Sequence, residues 1–185
     1  MHLRWMMATA LPLLLLLQAC VPAVVGGAAV GAAAAHDRRT FGAIVDDQNI
    51  ELKAGANIGM DAELKKLVHV NVTSMNGIVL LTGEAATTEA RDQILTHVRA
   101  VNGVRRITNE LRIAEPSSFG SRSKDSLITS AVKSRFLVSK DLDPSRVKVV
   151  TEESVVYLLG LVTQAEGNLA ADYAATIEGV ERIVK

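Results

Sequence analysis

The chain carries few side chains able to do covalent or ligand chemistry. Its four histidines, His2, His36, His69 and His97, show no ligand spacing such as H-x-x-x-H. Cys20 is the only thiol, which excludes an internal disulfide and a multi-cysteine metal knuckle. Asp46-Asp47 and Glu152-Glu153 are adjacent carboxylate pairs, but neighbours on a helix or a strand point apart. Asp46-Asp47 reads as a helix cap and Glu152-Glu153 as a turn. His69, in a strand, and His97, on a helix, read as surface or edge histidines. No G-x-S-x-G, P-loop or H-E-x-x-H motif occurs. The expectation is no catalytic site, no cofactor and no metal. Among 185 residues, 20 Lys plus Arg balance 20 Asp plus Glu, which rules out a broad polybasic nucleic-acid binder but not a local basic face.

Cys20 is where chemistry is expected. Arg4 supplies a short positive region, and Ala8 to Leu17 is an apolar run with five consecutive leucines from Leu13. Ten residues fall short of the roughly 20 that a spanning helix needs, so residues 1–19 read as a lipoprotein signal peptide. Leu17-Gln18-Ala19-Cys20 has the pattern of a bacterial lipobox, in which Cys20 becomes the acylated N-terminus after cleavage. Two or three acyl chains on one residue give stable anchoring, at about 0.8 kcal/mol per buried methylene. Val21 follows where an Asp would signal inner-membrane retention, which fits outer-membrane sorting. Residues 20–45 read as the lipidated N-terminus and a flexible tether, since 21–35 are nearly all Val, Ala and Gly.

These groups must be positioned by the rest of the chain, which is one unit used twice. Val70-Asn-Val72 answers Val147-Lys-Val149, and Ile78 to Gly83 answers Val155 to Gly160, both 77 residues apart. Gly103-Val104 answers Gly179-Val180, and Ile50, Ala54 and Ile58 answer Ile128, Val132 and Phe136. Four blocks at a near-constant offset give two homologous domains, 46–113 and 124–185, joined by a 114–123 linker of turn-forming composition. Each unit opens with a helix, near 47–58 and 125–138, with Asp47 and Asp125 as plausible N-caps. A hairpin follows, turning at Asn76-Gly77 in the first copy and at Glu153-Ser154 in the second. A second helix covers 87–101 and 164–177. Thr163-Gln-Ala-Glu166 forms a capping box, and Ala86 stands at the Thr position of the first copy. Gly103 and Gly179 sit where helix C-caps are expected, and third strands start from Val104 and Val180. The fold class is α+β: each α-β-β-α-β unit forms a three-stranded mixed sheet packed against two helices, its last crossover parallel and right-handed. Each unit has a small core, so contacts between them should help stabilise both.

This repeat, with Phe41-Gly-x-x-Val-Asp-Asp47, Asn71-Val-Thr in the first hairpin and Gly160-Leu-Val-Thr163, resembles the BON domain, and specifically the dual-BON-domain outer-membrane lipoproteins of the DolP type. The resemblance spans nearly the whole chain. It implies a periplasm-facing lipoprotein, held in the outer membrane by N-terminal acyl chains. Its second BON domain would bind anionic phospholipids, such as phosphatidylglycerol or cardiolipin, in support of envelope integrity. Such lipoproteins often carry an aromatic early in that domain's first helix, where this chain has Leu127.

The residues of that helix suit the role. Ile128, Val132 and Phe136 form the sheet-facing stripe. Leu127 and Ala131 lie beside it, on a face shared with Ser130, Ser134 and Val138, whereas the first unit has Asn49 and Lys53 at the positions of Leu127 and Ala131. Residues 122–148 carry seven basic and three acidic side chains, a net of +4, against −4 for 149–185 and −2 for 46–71. The basic residues are Arg122, Lys124, Lys133, Arg135, Lys140, Arg146 and Lys148. The expected phospholipid site is Lys124, Leu127, Ile128, Ser130, Ala131, Lys133 and Ser134. The alternative is a protein-interaction adaptor for outer-membrane assembly or cell-division machinery, with lipidation only for location.

Overall fold

The computed structural model describes residues 37–185. The signal peptide, Cys20 and the tether up to residue 36 lie outside the described residues. Helix α1 spans Phe41–Met60 and a short α2 spans Leu64–Leu67. Strands β1 (Val68–Met75) and β2 (Ile78–Ala85) form the first hairpin, followed by α3 (Thr88–Arg99) and β3 (Arg106–Ile113). The second unit repeats the order with α4 (Phe119–Leu137), β4 (Val147–Glu152), β5 (Val155–Gly160), α5 (Gln164–Ala175) and β6 (Arg182–Val184). Each sheet has three strands in sequence order. The hairpins are antiparallel, with Met75 opposite Ile78 and Glu152 opposite Val155. The strand after each crossover is parallel, β3 and β6 both lying along the second hairpin strand.

Both first helices begin earlier than the apolar periodicity suggests. Thr40 caps α1 by accepting from the Ala43 amide at 3.1 Å, and Ser118 caps α4 by accepting from the Ser121 amide at 3.3 Å. Residues 41–45 are therefore helix rather than tether, and 119–123 are helix rather than linker. Asp47 and Asp125 are not caps; they lie a turn or more inside their helices and are buried. In α3 the cap is Thr87, which accepts from the Ala90 amide, while α5 carries the capping box of Thr163 and Glu166.

Two cores result. Ile50, Ala54 and Ile58 of α1 meet Val79, Leu81 and Ala85 of β2 and Ala90, Ile94 and Val98 of α3. Ile128, Val132 and Phe136 of α4 meet Val147, Val149, Val156 and Leu158 of the second sheet and Ala170 and Ala174 of α5. The alternate residues of β2 and β5 are buried too: Leu80, Thr82, Glu84 and Tyr157 point away from their own helices yet are hidden from solvent. They are covered because the two sheets meet through the faces their helices leave open. Asn71 Nδ2 donates to Glu152 Oε2 at 2.7 Å, and the Tyr157 hydroxyl faces Glu110 at 3.5 Å. Lys148 Nζ donates to Glu51 Oε1 at 2.8 Å and to the Ser74 carbonyl at 2.9 Å, and Arg112 pairs with Glu153. The order of layers is helices, sheet, sheet, helices. Burial on both faces explains the unbroken apolar runs Ile78-Val-Leu-Leu and Val155-Val-Tyr-Leu-Leu.

Candidate functional site

Helix α4 presents its outer face to solvent. The buried positions Asp125, Ile128, Val132 and Phe136 mark its inner side. About half a turn away, at 100° per residue, stand Phe119, Leu127, Leu137 and Val138, each 69–79% exposed. Ser130, Ala131 and Ser134 fill the stripe between them and are also exposed. Lys124 and Lys133 are nine positions apart, which is half a turn, so they border the stripe on opposite flanks. Lys124 Nζ also donates to Ser154 Oγ at 3.0 Å.

The expected site residues are thus brought onto one face with a single exception. Ile128 is only 4% exposed and packs in the core, because its position follows the sheet-facing repeat of α4. It is not a surface residue. Leu127, 72% exposed, lies outside the contact between the sheets.

The +4 segment does not form one basic face. Lys148 turns into the contact between the units, to Glu51. Arg146 pairs with Glu166 at 2.9 Å, and the Arg135 guanidinium stacks 4.5 Å over the Tyr173 ring. Lys133 and Lys140 extend into solvent, and Arg122 reaches the His69 ring at 3.4 Å.

What ties the first helix of each unit to its hairpin is a buried carboxylate, Asp125 for α4 and Asp47 for α1. Asp125 accepts from the turn amides of Glu153 and Ser154 at 3.0 and 2.9 Å. Those two residues have φ of 46° and 64°, the left-handed region that side chains rarely adopt, and the paired acceptors stabilise it. Asp47 does the same for Asn76 and Gly77, at 2.7 and 2.9 Å, and also accepts from Ser74 Oγ at 2.6 Å and Arg39 Nη1 at 2.8 Å. Burial acts to raise the Asp47 pKa, but the Gly77 amide, the Ser74 hydroxyl, the Asn76 amide and Arg39 outweigh it and hold the carboxyl below its ordinary value. Glu166 is lowered to about 2, first by the Thr163 amide and then by Arg38, Thr163 Oγ1 and Arg146.

The BON domain model matches residues 46–115 and again 124–185. The chain belongs to the BON-domain family. The first match runs from within α1 to β3 and the second from within α4 to β6, so the exposed stripe, Phe119 apart, belongs to BON domain 2. The outer membrane lipoprotein DolP of Haemophilus influenzae is 41% identical over 169 residues, which cover 91% of this chain and 88% of that protein. A 21 kDa hemolysin of Actinobacillus pleuropneumoniae is 37% identical over 80% of this chain and 77% of its own length. The osmotically-inducible protein Y of Escherichia coli is 29% identical over 77% of this chain and 72% of its own length. The protein is a dual-BON-domain, lipid-anchored outer-membrane lipoprotein.

Two residues of the stripe escape the sequence reading: Phe119 and Leu137. Phe119 sits in a segment of linker composition, and only the Ser118 cap, followed by Phe-Gly as at Phe41-Gly42 after Thr40, marks it as helical.

Proposed function

We propose that the protein, anchored through Cys20 in the periplasmic leaflet of the outer membrane, rests α4 of BON domain 2 on anionic phospholipids and so supports envelope integrity. The observation that carries this is the exposed apolar stripe of Phe119, Leu127, Leu137 and Val138, bordered by Lys124 and Lys133. Such a helix suits the interface plane, its apolar side chains among the acyl chains and its lysines reaching up to headgroup phosphates. Each lysine near an anionic surface contributes about 1 kcal/mol. That gives modest affinity, and modest affinity suffices for a tethered molecule whose effective concentration at the bilayer is already high. The role is binding, without catalysis.

The test uses the mature chain carrying Cys20→Ser, so that acylation does not mask weaker contacts. Vesicles containing phosphatidylglycerol or cardiolipin should bind it, and phosphatidylcholine vesicles should not; equal binding to both overturns the proposal. Leu127→Asp should weaken binding about tenfold. Its folding stability should stay within about 0.5 kcal/mol of the parent, as at other exposed sites. A second reading, a protein-interaction adaptor, is favoured by the exposed Phe41, Leu52 and Met60 on the outer face of α1. Cross-linking in cells that captures one abundant protein through α1 supports it.

A further inference from the structure

A cavity adjoins the α4 stripe. It measures about 370 Å³ and lies where α4 and β4 of BON domain 2 meet the edge strand β1 of BON domain 1. Every side chain lining it is polar, and the polarity has a direction. On α4, Ser126 Oγ donates to the Arg122 carbonyl at 3.0 Å and Ser130 Oγ to the Ser126 carbonyl at 2.9 Å. Thr129 Oγ1 lies 2.8 Å from Thr151 Oγ1 and donates to it. With these protons held inside the protein, the three α4 hydroxyls offer lone pairs to the cavity. Glu152, nearly buried, accepts from Asn71 through Oε2 and keeps Oε1 3.9 Å from His69 Nε2, beyond hydrogen-bond reach. The one arginine of the lining, Arg122, stands exposed at the cavity's outer side, 3.4 Å from His69 Nδ1. The cavity therefore has acceptors inside and a guanidinium outside.

That arrangement selects a ligand with an anion at one end and hydrogen-bond donors at the other. A phosphodiester meets Arg122 while hydroxyl groups reach inward to Glu152 and the α4 hydroxyls. A headgroup ending in its own carboxylate is repelled by Glu152. Ser126 and Ser130 stand between the cavity and the exposed stripe, so the cavity opens beside the surface that α4 lays on the bilayer. We propose that this cavity is a headgroup pocket taking the phosphoglycerol of one phosphatidylglycerol molecule, with Arg122 on the phosphate and Glu152 on the glycerol. It rests on the α4 reading above and adds to it a preference among lipids of equal charge.

The experiment compares phosphatidylcholine vesicles containing equal mole fractions of phosphatidylglycerol or phosphatidylserine, with the mature Cys20→Ser chain. Phosphatidylglycerol vesicles should bind about fivefold more tightly than phosphatidylserine vesicles. Glu152→Gln, which keeps the shape and the contact to Asn71, should remove the preference by raising phosphatidylserine binding. Arg122→Gln, at an exposed position, should lower phosphatidylglycerol binding about threefold. Leu127→Asp should weaken both lipids alike. Equal binding of the parent chain to the two anionic lipids overturns the pocket while leaving the α4 reading intact. No preference of either over pure phosphatidylcholine overturns that reading first. Free glycerol 1-phosphate that displaces vesicles at micromolar concentration reassigns the pocket to a soluble ligand and overturns the lipid assignment.

Discussion

Asp47→Ala should destabilise the protein by about 3 kcal/mol, since breaking a buried, charge-assisted network leaves several donors without an acceptor. The donors are the Asn76 and Gly77 amides and the Ser74 hydroxyl; Arg39 keeps Asp37, at 2.7 Å. The loss is a large part of the 5–15 kcal/mol or so that a domain typically holds. Asp47→Asn should cost less, about 2 kcal/mol, because its amide oxygen still serves part of the network while its NH₂ group faces donors. Urea unfolding of parent and variants reads the difference. A change under about 0.5 kcal/mol would show that the hairpin turn holds itself.

The same carboxylate sets an acid limit. Its folded pKa is lowered, so its contribution is complete above the ordinary carboxylate range and disappears as pH falls through the folded value. Glu152 acts in the opposite sense. Burial, only partly offset by the Asn71 amide and His69, pushes its pKa up, so its contribution is complete below the ordinary value and is lost as pH rises through the raised one. Asp47→Ala should therefore flatten the fall in melting temperature below about pH 4.

Gly83→Ala should be at least as damaging, at about 3 kcal/mol or more. Gly83 has φ of +111° in the middle of β2, and an added Cβ would drive into the His69 carbonyl oxygen of the paired strand. The backbone angle and the collision both oppose the methyl group, and neither relaxes without opening β1 from β2. Gly160 is its counterpart 77 residues on, but its φ lies outside the left-handed region. A Cβ there meets the Arg146 carbonyl at 2.6 Å, at the start of β4, where the strand has more freedom to shift. Gly160→Ala should cost about 1 kcal/mol, and the contrast in thermal midpoints between the two variants is the measurement. Equal effects would mean that the strand contact, and not the backbone angle, dominates.

Much of this fold is legible in the chain because it is written twice. The matched spacing of Ile50, Ala54 and Ile58 with Ile128, Val132 and Phe136 identifies the inner face of both first helices without coordinates. Asn76-Gly77 names its own turn. The limits are equally specific. Asp47 and Asp125 have the chemistry of caps, and nothing local distinguishes a carboxylate that caps its own helix from one that reaches a turn 28–30 residues away. Thr40 and Ser118, the true caps, are separated from the apolar repeat by an exposed first turn. The contact between the sheets has no sequence period at all. It pairs Asn71 with Glu152 and Glu51 with Lys148, across 81 and 97 residues, and it takes Lys148 away from what a charge count presents as one basic face, while Arg146 turns to Glu166 within its own unit.

Packing the two sheets face to face makes the molecule two-sided. The helices of each unit cover the outer face of its own sheet, and α1 reaches past the sheet edge to Lys148 of β4 through Glu51. If α4 rests on lipid as proposed, the outer face of α1, on the other unit, is left turned toward the aqueous compartment. Phe41, Leu52 and Met60, all exposed, would then stand clear of the bilayer. On that proposal the protein would act as a spacer, with the paired sheets setting how far from the membrane a neighbour held by α1 would sit.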